Sequence, residues 1–84
     1  MNKDNVHKHR RICLEALYDI GGEGNLYEIH NETKKKVENG VKIHLIYYSL
    51  TSLESIVTVE ESETVEPDIN ARIVKPDQVK TLLH

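Results

Sequence analysis

Phenylalanine and tryptophan are absent from this 84-residue chain, which also has only one cysteine, one methionine and two prolines. With eight Leu, eight Ile and eight Val as its main apolar stock, the core must be aliphatic. The lone Cys13 closes no intrachain disulfide, which removes the disulfide-scaffold class and fits a reducing compartment, the cytoplasm by default. No stretch reaches the roughly 18 to 20 apolar residues of a membrane span, and the opening MNKDNVHKHRR is polar with no apolar segment behind it. The sequence therefore predicts a soluble, unexported protein. Catalytic signatures are missing too: there is no G-x-G-x-x-G, Walker loop, H-E-x-x-H or G-x-S-x-G. Gly21-Gly22-Glu23-Gly24 carries a glutamate where a phosphate cradle wants none. His7 and His9 would project about 200° apart on a helix, and no Cys/His partner stands at a zinc-finger spacing. Neither an enzyme nor a metal or other cofactor is expected.

What the chain does have is charge, unevenly placed. The net charge is −3, yet residues 1–53 hold eight Lys/Arg against seven Asp/Glu, and residues 54–84 hold three against seven. The positive residues gather in two knots, Lys3/Lys8/Arg10/Arg11 and Lys34/Lys35/Lys36. A chain this short buries only roughly 60 to 65% of its unfolded surface, which permits one domain and makes homodimerisation an expectation.

Periodicity divides the chain into five elements. Val6, Cys13, Leu17 and Ile20 form a helical stripe over about 5–19, stopped by the glycines at 21–24. Asn25 opens a second helix, about 25–36, as an N-cap with Glu28 three residues on in the capping-box position. Leu26, Ile29 and Thr33 make its buried edge, and Lys34 to Lys36 suit the negative end of its dipole. A third helix, about 41–54, buries Ile43, Ile46, Leu50 and Leu53. Its opposite side presents His44, Tyr48, Thr51 and Ser55, with Leu45 and Ser52 on the shoulder. From Ile56 the period becomes two, predicting a hairpin over about 56–74 with a long acidic tip that holds Pro67. Pro76 and Asp77 then suit the first turn of a short closing helix, 77–83.

Three helices followed by a β-hairpin is the layout of a winged helix-turn-helix domain, an α+β fold, and the wording agrees. Cys13-Leu14-Glu15-Ala16-Leu17 resembles that family's "ILEAL" opening, and Asn25-Leu-Tyr-Glu-Ile-His-Asn-Glu-Thr33 its second helix, "T-V-S-E-I-A-E-E-T". Ile46-Tyr-Tyr-Ser-Leu50-Thr-Ser-Leu53-Glu54 resembles the recognition helix "V-Y-Y-H-L-K-K-L-E". The likeness covers about residues 10–57 and, in size and layout, is to small archaeal or viral transcriptional regulators. Two departures stand out: the third helix exits without the family's glycine, and the connection from Val37 to Lys42 is longer than a minimal turn.

The resemblance implies sequence-specific binding of double-stranded DNA with the third helix in the major groove. It places His44, Leu45, Tyr48 and Ser52 at base edges, Leu45 against a thymine methyl. Arg10, Arg11, Lys34, Lys35, Lys36 and Lys42 would hold phosphates and set register. Plainer readings stand beside these. The lysine run also reads as a solvated helix end, Tyr47 as a half-buried packing residue, His30 as a hydrogen-bonded structural histidine, and Cys13 as a small hydrophobe. The hairpin carries Glu60, Glu61, Glu63, Glu66 and Asp68 with only Arg72 near, which a phosphate backbone would repel. The alternative function is accordingly a winged-helix adaptor that offers an acidic wing to a basic protein surface. A homodimer would use the first and closing helices, through Val79, Leu82 and Leu83.

Overall fold

A computed structural model of the chain describes residues 3–61 and 69–83, with the side chains from residue 9 onward. The acidic hairpin tip, with Glu63, Glu66, Pro67 and Asp68, lies outside the described residues. The protein is α+β, with helices α1 (Lys3–Asp19), α2 (Leu26–Thr33), α3 (Ile43–Thr51) and α4 (Pro76–Leu83). Strands β1 (Glu23–Asn25), β2 (Val57–Glu61) and β3 (Ile69–Ile73) form an antiparallel sheet in the order β1-β3-β2.

The expected cap opens α2. Glu28 donates its backbone N–H to Asn25 Oδ1 at 2.8 Å, and Asn25 N–H donates to Glu28 Oε1 at 3.3 Å, so two orphan donors at the helix start are satisfied reciprocally. α2 ends at Thr33, three residues before its expected end, because the Thr33 side chain turns to the next segment. Its Oγ1 donates to His30 O at 2.7 Å and accepts from Val41 N–H at 2.9 Å. Lys34 to Lys36 therefore sit in turns after the helix, not in its last turn. α3 is shorter than expected at both ends. Val41 is buried in an extended segment, Lys42 is the N-cap, and residues 52–56 leave the helix in successive turns.

β1 has no counterpart in the sequence reading. Glu23-Gly24-Asn25 carries no β-branched residue, and it becomes a strand by pairing with β3 in the register Glu23↔Arg72, Gly24↔Ala71, Asn25↔Asn70. On the other side of β3, Val57↔Ile73, Val59↔Ala71 and Glu61↔Ile69 build the hairpin. Ala71 is buried in the middle of the sheet while its neighbours Asn70 and Arg72 are exposed, the alternation that a one-faced sheet imposes.

The core lies between α1, α2, α3 and the inner sheet face. Leu17, Ile29, Ile46, Leu50, Val57 and Val79 are fully enclosed in it, and Cys13 joins them from α1. Burying a side chain of this kind is worth roughly 1.5 to 3 kcal/mol, so the core fixes α3 on α1 and α2 by one stripe and leaves its other side free. Among the described residues no helix is long and apolar enough to cross a membrane.

Candidate functional site

α3 owes its outward face to what its inward face must bury. Ile46, Ser49 and Leu50 are buried, with Ile43 and Leu45 half-buried beside them. Successive residues advance about 100° around a helix, which leaves His44 and Tyr48 exposed one turn apart; Tyr48 keeps 66% of its surface. Tyr47 lies at the boundary and meets Tyr48 edge-on, ring centroids 5.9 Å apart at 67°. Ser52, at the C-cap, is exposed as well, but its hydroxyl donates to Ser49 O at 2.6 Å. Of the four residues assigned to base edges, His44, Tyr48 and Ser52 are open, whereas Leu45 is half-buried against the core. No acidic residue occurs between Glu38 and Glu54, so this surface bears no carboxylate of its own.

Fold contacts divide the cations into two groups at opposite ends of α3. At the N-terminal end, Lys42 occupies the N-cap position without a side-chain capping bond and is exposed. Lys34 runs over the turn before it: a Cβ on Gly40 would stand 3.0 Å from Lys34 Cγ. Lys35 is 74% exposed and pairs with Glu32 at 3.2 Å. Lys36 differs from its neighbours. Its ammonium lies 2.6 Å from Asp19 Oδ2 and 3.0 Å from Glu15 Oε1, both on α1, and its side chain is half-buried. The bond to Asp19, with Glu15 adding to it against partial desolvation, holds the Lys36 pKa above its ordinary value. Lys36 thus clamps the end of α2 to α1. The sequence held no signal of this, since its partners lie 21 and 17 residues away.

Beyond the C-terminal end of α3, Arg10 and Arg11 of α1 meet Leu53 and the last turn of α4 around a small groove. Arg11 Nη2 donates to Leu83 O at 3.4 Å. α3 itself spans about 13 Å, from the usual 1.5 Å rise over its nine residues, and one cationic group lies near each of its ends. Val79 is fully enclosed within the protomer and cannot serve the dimer contact expected of it, whereas Leu82 is 53% exposed.

Two residues resolve to structural roles. His30 Nδ1 lies 2.7 Å from Val41 O, and because a carbonyl only accepts, the proton sits on Nδ1 and ties α2 to the segment leading into α3. Cys13 is buried, and burial pushes its thiol up to about 11, with the Ser49 hydroxyl opposing. Among the described residues no group of three or more His, Cys, Asp or Glu is placed to hold a metal ion. No family model, curated protein or solved structure matches the chain.

Proposed function

We propose that the chain is a winged helix-turn-helix domain that binds double-stranded DNA sequence-specifically, as a small transcriptional regulator, with α3 in the major groove. The observation that carries this reading is the outward face of α3: His44 and Tyr48 exposed one turn apart, no carboxylate between Glu38 and Glu54, and cations beyond both ends. His44, Tyr48 and Ser52 would meet base edges, with Leu45 limited to an apolar edge contact. Arg10, Arg11, Lys34, Lys35 and Lys42 would hold phosphates, and Lys36 would act indirectly, by fixing the loop that carries Lys34 and Lys35. The fold order and the wording of its helices support the same reading.

A second reading draws on Glu60 and Glu61, both exposed at the end of β2. With β2 at an edge of the sheet, these carboxylates suit a basic protein surface and an adaptor role.

An NMR titration of labelled protein with a random-sequence duplex separates the two. DNA binding predicts shifts at His44, Tyr48, Lys34, Lys35, Arg10 and Arg11 that weaken steeply between about 50 and 200 mM salt. With about five cations engaged, log K falls against log salt with a slope of roughly −4 to −5. An unchanged spectrum at low salt rejects the DNA reading, and shifts at Glu60 and Glu61 with a lysine-rich peptide would then support the adaptor.

A further inference from the structure

The groove between α1 and α4 has a volume of about 220 Å³ and is lined by Arg10, Arg11, Leu14, Leu53, Leu82 and Leu83. Four leucines and two guanidinium groups make an apolar slot with cationic walls, and no lining residue is acidic. Neither arginine is in an ion pair among the described residues. Arg10 Nε is also the one buried side-chain nitrogen or oxygen among those residues that has no hydrogen-bond partner. A buried donor without an acceptor is rare in a folded protein, and one on a guanidinium calls for an anionic oxygen.

From these features we infer that the groove is a binding site for a small aliphatic carboxylate, its head on Arg10 and its tail among the leucines. Because Nε is closed to solvent in this conformation, Arg10 would turn its guanidinium toward the groove that it lines, where the planar fork of N–H donors takes both oxygens of a carboxylate. Arg11 already donates to the end of α4 through Nη2, which leaves its other donors for a second contact. Leu53, Leu82 and Leu83 supply the surface that an alkyl chain would cover, and Leu82 is the residue with most to gain because it is 53% exposed. The volume is below the roughly 300 to 1,000 Å³ of sites for drug-sized ligands, which selects a medium-length chain over a long lipid. The inference stands on the protein alone and does not depend on DNA binding.

Octanoate, 1-octanol and acetate separate head from tail. Titrated into protein with labelled leucine methyls, at matched ionic strength, octanoate should shift Leu14, Leu53, Leu82 and Leu83 saturably. It should bind about tenfold or more tightly than 1-octanol, the gain expected from a charge-assisted bond, and acetate should leave the methyls unmoved. Arg10→Gln should remove most of the advantage of octanoate over 1-octanol, leaving only what Arg11 supplies, without changing 1-octanol itself. Leu82→Asp, at an exposed position, should weaken both. The wild-type comparison decides the matter even if Arg10→Gln does not fold. Equal affinities for octanoate and 1-octanol, saturable shifts elsewhere, or no saturable shift would overturn the inference. So would ligand-free methyl shifts that follow dilution together with a dimer in sedimentation, which would give the groove to a second copy of the chain.

Discussion

Cys13 shows how one buried side chain couples pH to stability. The thiol titrates near 11 in the folded protein against an ordinary 9.0, because burial disfavours the thiolate. As pH rises the unfolded chain therefore ionises first. The stabilisation is complete below the ordinary value and is lost as pH climbs toward 11, by about 2 to 3 kcal/mol in total. Urea unfolding at several pH values across that window should show a steeper loss of stability for the wild type than for Cys13→Ala, the tyrosines being common to both. The same burial makes the thiol inert to Ellman's reagent until the core opens. His30 and Thr33 work at this scale too. Through Val41 O and Val41 N–H they satisfy both backbone groups of one buried residue, which a loop entering a core requires.

The loop between α2 and α3 gives the clearest prediction among the elements. Asn39 and Gly40 both have positive φ, 66° and 70°, and this pair of left-handed residues turns the chain from α2 toward Val41. A Cβ on Gly40 would meet Lys34 Cγ at 3.0 Å, Thr33 Oγ1 at 3.1 Å and His30 Cε1 at 3.3 Å. Gly40→Ala should therefore destabilise the protein by about 1 to 3 kcal/mol, from backbone strain together with crowding. Chemical denaturation measures the loss, and an unchanged midpoint would mean that the turn relaxes freely.

Elements were legible in the sequence wherever a local rule governed them. The helical stripes of α1, α2 and α3, the Asn25 cap and the period-two strands β2 and β3 all arise from spacing within a dozen residues. What was hidden depends on partners far along the chain. β1 exists only through its pairing with β3, and α2 stops early because Thr33 bonds to Val41. At the candidate site, spacing identified the exposed face of α3. It could not distinguish Lys36, held by α1, from the freer Lys34 and Lys35, nor show Arg10 and Arg11 meeting Leu53 and α4.

For the whole molecule the governing quantity is the distribution of charge. A net −3 opposes a polyanion at long range, so the proposed DNA contact relies on the cations around α3 acting within a Debye length, about 8 Å at physiological salt. Glu60 and Glu61 oppose them from β2. On the DNA reading, Glu60→Gln with Glu61→Gln should tighten duplex binding a few-fold at low salt and leave the salt slope unchanged, because no phosphate contact is added. Fluorescence anisotropy with a labelled duplex reads both. If the double variant instead weakened binding, the hairpin carboxylates would be contacts in their own right.

The pairing of β1 with β3 also dictates when the fold can be completed. Gly24 waits for Ala71, and most of the molecule is synthesised between the two. While the chain is still on the ribosome, α1 and α2 can form as helices, but the link between them has no strand to lock it. The order in which the protein is made is therefore not the order in which it is fastened, and the link between α1 and α2 is tied into the sheet only after the second arm of the hairpin has emerged.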